Sequence, residues 1–170
     1  PNGLYLNRRG KKFVNVTTNT KVGHVGQTGG VAMADLQNDG FPDIYAVMGG
    51  VFNVSEYRNV LFENRGITND WIGLKLVGDE TNRMAVGARI KVKVRSERGD
   101  LRTIYQTVDN GGSYGASPFR QIIGLGNARA IEELKVKWPV GRPKVQRFET
   151  VPMNRHLKIT QDRDLIRRMF

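Results

Sequence analysis

The chain has 170 residues, 39% hydrophobic and 25% charged, a balance that excludes a disordered or membrane-embedded protein. No apolar run approaches the roughly 20 residues of a membrane helix, and no basic-then-apolar leader precedes the opening PNGLY, so the chain reads as a processed or trimmed piece. The net charge of +11 points to an anionic partner (nucleic acid, glycan, anionic surface or acidic protein), while the absence of cysteine excludes disulfides, thiol catalysis and Cys-bound zinc.

The pattern is β nearly throughout. GLYLNRRGKKFVNVT predicts two short strands around a turn at Arg9-Gly10. GGVAMAD and DIYAVMGG predict two more, joined by an acidic loop. RNVLFENRG repeats the outline of the opening NGLYLNRRG at an interval of roughly 57 residues, within the range of propeller-blade repeats. After Thr68 the texture changes. DWIGLKLVG alternates, and GARIKVKVRSERGDLRTIYQTV predicts a hairpin around Arg98-Gly99-Asp100. Ile90, Val92 and Val94 fall on one side of its first strand, with Arg89, Lys91, Lys93 and Arg95 on the other. EELKVKWPVG repeats the arrangement, with Leu134, Val136 and Trp138 inside and Lys135 and Lys137 outside. HLKIT closes the series, and QDRDLIRRMF predicts a helix of about two turns.

Asp35-Leu36-Gln37-Asn38-Asp39-Gly40-Phe41-Pro42-Asp43 places three carboxylates four residues apart around a glycine. Hard cations need six to eight oxygens, and loops supply them from alternate positions. Asp35, Gln37, Asp39 and Asp43 would occupy positions one, three, five and nine, and the main-chain carbonyl of Phe41 position seven. The competing reading is a plain hairpin turn, since Asn-Asp-Gly forms one without a metal. No Glu stands at a twelfth position and no helices flank the loop, which excludes an EF-hand.

The strand–loop–strand pattern resembles the calcium loops of FG-GAP repeats, the blades of integrin-α-type β-propellers, with Gln37 in place of the usual carboxylate or Asn. The resemblance implies calcium as cofactor, at the weak affinity of about 10⁻⁴ to 10⁻³ M typical of extracellular modules. The second half resembles the ASPIC/UnbV domain, which follows FG-GAP repeats in exported proteins. The signposts are Trp71-Ile72-Gly73, Asn82-Arg83, Val86-Gly87-Ala88-Arg89, Gly112-Ser113-Tyr114, Gly124-Leu125-Gly126, Trp138-Pro139 with Gly141, and Val151-Pro152 with Asn154. Ile123 departs from the aromatic common at its position, and the basic charge departs from the acidic character of many relatives. Gly124 and Gly126 also read as a turn, Trp138 as core, and Tyr114 as a loop side chain free to face solvent.

No catalytic constellation is legible. His24 and His156 share no metal-binding spacing, Ser113 lacks the Gly-x-Ser-x-Gly elbow, and GQTGG lacks the lysine of a phosphate loop. Arg89, Lys91, Lys93 and Arg95, extended by Lys135 and Lys137 if their strands are neighbours, form a candidate anion-binding face. Its plain reading is a solvated edge strand that uses its charges against aggregation. Glycan or an acidic protein ranks above nucleic acid as its ligand, because no aromatic platforms interleave the charges.

The sequence thus predicts an all-β chain: an FG-GAP-like propeller-blade segment with a calcium loop (1–66), an ASPIC/UnbV-like antiparallel β-sandwich-like domain (70–162) and a C-terminal tail (163–170). A lone blade cannot bury both faces. The expected function is therefore a secreted, extracellular or periplasmic, non-enzymatic adhesion or assembly module. It would be completed by upstream blades or a protein partner, as a homo-oligomer or a filament. The alternative is a polyanion-binding module.

Overall fold

The computed structural model describes residues 2–8, 10–23, 28–49, 58–112, 114–142, 144–163 and 166–169. The readings that touch His24, Ser113 and Phe170 lie outside the described residues. The chain forms two compact units, residues 1–34, 43–64 and 111–117 in the first and 35–42, 65–110 and 118–170 in the second.

The first unit begins with the expected hairpin. Strands β1 (Tyr5–Arg8) and β2 (Lys12–Asn15) pair around Gly10, whose φ of +71° suits a residue without a Cβ. One helical turn, α1 (Thr17–Thr20), follows. A three-stranded antiparallel sheet then runs in the order β3 (Thr28–Ala34), β4 (Asp43–Met48), β5 (Val60–Phe62). Segment 111–117 completes this unit beside β3, where the Ser117 hydroxyl accepts the Met33 N–H at 3.3 Å. A side chain on Gly30 or Gly115 would collide with the facing backbone there, so both positions require glycine for close approach.

The second unit holds two four-stranded sheets around one core. The first has the order β11 (Lys144–Phe148), β10 (Ala128–Trp138), β7 (Arg89–Ser96), β8 (Leu101–Thr107). The second has the order β13 (Ile166–Arg168), β12 (His156–Thr160), β6 (Asp70–Val77), β9 (Gln121–Gly126). All pairings are antiparallel except β12 with β6, which are parallel. Ile90, Val92, Val94, Leu134, Val136 and Trp138 from the first sheet meet Ile72, Leu74, Leu125, Leu157 and Ile159 from the second in a single cluster. On β7 and β10 these residues alternate with charged ones, the period of two that builds a half-buried sheet.

Two buried glutamine oxygens accept hydrogen bonds within this unit. The Trp138 indole N–H donates to Gln146 Oε1 at 2.5 Å. Gln161 Oε1 accepts the N–H groups of Asp79, Glu80 and Thr81, closing the loop after β6. Several signposts of the resemblance are turn and strand locks of the same kind. Asn82 exchanges hydrogen bonds with the backbone of Val86, and Trp71 and Asn154 lock each other through Trp71 N–H to Asn154 Oδ1 and Asn154 N–H to the Trp71 carbonyl.

Two expectations are corrected. Gly124 does not serve a turn: it lies inside β9 opposite Trp71, and Gly126, with φ of +60°, alone takes the left-handed conformation. The tail contains strand β13, not a helix. A helix of two turns is marginal alone, whereas the open edge of β12 supplies unpaired N–H and C=O groups to residues 166–168. Loop 35–42 belongs with the second unit and 111–117 with the first.

Leu134 is fully buried in the centre of the second unit's core. Leu134→Ala is expected to cost about 2–5 kcal/mol, read as a lower urea midpoint at unchanged slope.

Candidate functional site

The acidic loop is organised around one carboxylate. Asp35 is buried, with 4% of its surface exposed, and its oxygens accept the N–H groups of Asp39 and Gly40, each at 3.0 Å. His156 Nε2 lies 3.0 Å from Asp35 Oδ2, and His156 is itself 3% exposed at the start of β12. Arg120 reaches the same loop, donating to Asn38 Oδ1 at 2.8 Å and to the Asp35 carbonyl at 3.0 Å. The Trp71 ring stands 4.8 Å from the His156 ring and covers Gly40, whose φ of +91° and missing Cβ permit the approach. Gly73 leaves room for the His156 ring in the same way.

Burial pushes His156 below its ordinary range, and the charge of Arg120 acts in the same direction; Asp35 and the backbone of Asn38 oppose both. The imidazole thus stands against the Asp35 carboxylate, Nε2 to Oδ2, in a site where both side chains are buried. His156, Arg120 and Trp71 are therefore the residues that the sequence reading did not connect with the loop. They lie 36 to 121 positions from Asp35, and no local spacing announces them.

The five residues expected at a cation are placed differently from one another. Asp35 and Asp43 are buried, Gln37 and Asp39 are exposed, and the Phe41 ring packs over Gly66. Asp39 Oδ1 accepts the Phe41 N–H at 2.9 Å. Asp43 belongs to the first unit, where its Oδ1 accepts the Asn64 N–H at 2.9 Å. Among the described residues no three His, Asp or Glu side chains are grouped to hold a metal ion.

The basic residues, by contrast, are brought together. Strand β10 lies beside β7 in a register that sets Lys135 opposite Lys91 and Lys137 opposite Arg89. Arg147 of β11 stands opposite Lys135, and Tyr105 of β8 opposite Lys91. Two carboxylates share this outer face. Glu132 pairs with Arg95 at 2.6 Å, and Glu133 meets Lys135 and Arg147, each at 3.1 Å. The hydrogen bond from Lys135 holds the Glu133 carboxyl below its ordinary range, and the charges of Arg147, Lys135 and Lys91 add to the effect.

The first unit carries exposed apolar side chains on both faces of its sheet. Val31 and Met33 share a face with Ala46 and Ile44, while Tyr45 and Leu61 share the opposite face with Ala32. Val31, Met33, Tyr45, Val47 and Leu61 are each 42–48% exposed. Tyr114, in segment 111–117, is 88% exposed.

In comparison with protein families, the family described as "ASPIC and UnbV" matches residues 78–165, just over half of the chain. No curated protein matches the chain.

The lowered His156 fixes the sign of a pH effect. Below about pH 6.5 the unfolded imidazole takes up a proton that the folded state resists, so stability is complete above that pH and falls as acid is added. Chemical denaturation from pH 7.5 to 5 is expected to show this decline, and His156→Gln to flatten it.

Proposed function

The chain belongs to the ASPIC and UnbV family, and from that premise we propose that it is a non-enzymatic assembly module, exported and working outside the cytoplasm. The observation that carries the proposal is the two-faced sheet β3–β4–β5. A three-stranded sheet that shows Val31 and Met33 on one face and Tyr45 and Leu61 on the other has more apolar surface than one core can cover. Surfaces of this kind mark a layer that needs neighbours, as stacked repeats do. The partner we assign is another sheet of the same type, as in an FG-GAP propeller. A second copy of this chain can supply it, and so can further blades of a longer protein.

Non-enzymatic action is supported by the chemistry of the buried contact between His156 and Asp35. Asp35 accepts the N–H groups of Asp39 and Gly40, and His156 stands against the same carboxylate, which is a structural use of both groups.

Two measurements test this reading. Sedimentation velocity across a wide concentration range is expected to show self-association, which Tyr45→Lys with Leu61→Lys abolishes at unchanged far-UV circular dichroism. A wild-type chain that stays monomeric and binds no apolar dye would overturn the proposal.

Calcium belongs to the proposal as a loop ligand that must compete for Asp35 with two N–H groups and His156. Thermal unfolding in EDTA and in excess calcium decides it. A rise in midpoint that Asp39→Ala removes is expected of a calcium loop; equal midpoints would leave the loop a turn fastened by His156.

A further inference from the structure

We infer that the outer face of the sheet β11–β10–β7–β8 is a binding surface for a linear sulfated or carboxylated polysaccharide, seated on Arg89, Lys91, Lys93 and Lys137. The inference is independent of how the first unit assembles.

The sequence places cations on alternate positions of β7 and of β10, but only the register joins them. With β10 beside β7, Arg89, Lys91, Lys93, Arg95, Lys135, Lys137 and Arg147 occupy one surface, against the two carboxylates Glu132 and Glu133. Neighbouring positions along a strand are about 7 Å apart on one face, and directly opposite residues about 5 Å apart. Lys135 opposite Lys91, and Lys137 opposite Arg89, are like charges at the shortest cross-strand separation. Such pairs are unfavourable in a sheet. The carboxylates relieve this repulsion only in part: their ion pairs engage Arg95, Lys135 and Arg147, and Glu133 stands opposite Lys93. Arg89, Lys91, Lys93 and Lys137 have no ion pair among the described residues, and they are contiguous. The plain explanation of an edge strand protecting itself does not apply, because β7 and β10 are the two inner strands of the sheet.

The surroundings select the ligand class. A protein interface has an apolar centre and a polar rim. Here the order is reversed: the centre is charged, and the exposed apolar residues Leu101 and Val145 lie on the outer strands. Four strands at about 4.8 Å spacing, with their side chains, are too broad for a major groove about 12 Å wide. Sheets that bind single-stranded nucleic acid carry several aromatic side chains for successive bases. The outward residues of β7 and β10 include none, and Tyr105, 71% exposed, stands alone on the edge strand β8. One aromatic ring beside lysines, with the hydroxyl groups of Thr103 and Thr107 in line on the same strand, suits a sugar chain with a charge on each unit.

The test is binding of heparin to the whole chain at about 0.15 M salt, where exposed charges more than about 8 Å apart are largely screened. Lys91→Glu with Lys93→Glu should reduce affinity at least a hundredfold. Lys11→Glu with Lys12→Glu, which makes the same change of net charge on β2 and the turn before it, should reduce it less than threefold. Glu133→Gln removes the carboxylate that engages Lys135 and Arg147, and should raise affinity about threefold. Lys91→Gln with Lys93→Gln, which relieves repulsion instead of adding carboxylates, keeps the fold intact and should still lose most binding. Equal losses in the β7 and β2 variants would reduce the effect to net charge and overturn the inference. So would displacement of heparin by an equal charge of single-stranded DNA, which would assign the face to nucleic acid.

Discussion

A carboxylate placed beyond the reach of water governs the acidic loop. Asp35 is stable there because two backbone N–H groups and one imidazole converge on it, and removing a partner from such a site leaves an uncompensated buried charge. The demand propagates outward. His156 needs the space that Gly73 leaves, Trp71 needs the space that Gly40 leaves, and the loop path is pinned again by Arg120. Residues from β6, β12 and the segment before β9 are thereby fastened to a loop that the sequence places between β3 and β4. Gly40 in the turn and Gly73 inside β6 are both sites of close contact.

The second organising fact is the strict alternation of β7 and β10. One face of each strand closes the core of the second unit, and the other collects charge. The two consequences cannot be separated, because a shift of register by one residue would exchange them. This explains how an excess of cations can be concentrated without loss of a well-packed interior. Ile90, Val92, Leu134 and Val136 are at most 1% exposed, while the lysines between them face outward. Burial of the apolar rows outweighs the repulsion among surface charges, each pair of which contributes only about 1 kcal/mol or less.

The first unit has a different balance. Its sheet has three strands, its apolar residues alternate onto both faces, and many remain exposed. A sheet of this size has little capacity to bury surface by itself. The second unit has the opposite construction, two sheets facing each other across one core. One chain therefore joins a unit with a two-sheet core, which holds most of the family match, to a unit with exposed apolar side chains on both faces of its sheet.

What the sequence determined by itself was everything with a short period. Alternation located the strands β3, β4, β6, β7, β8, β10 and β12, separated the inner from the outer rows of β7 and β10, and marked Asp35 to Asp43 as a turn with unusual chemistry. The ordered signposts identified the family of the second half, because Asn82, Val86, Gly87 and Asn154 are turn and lock residues whose geometry admits few substitutes. Contacts with no local signature were decided only by the tertiary structure. Nothing near Asp35 announces His156, since their meeting depends on β12 lying parallel to β6, a pairing that no turn specifies. The neighbouring of Lys91 and Lys135, the strand at residues 166–168 and the passage of loop 35–42 into the second unit have the same origin. Each depends on which segments distant in sequence come to lie side by side, and side-chain periodicity along the chain carries no information about that choice.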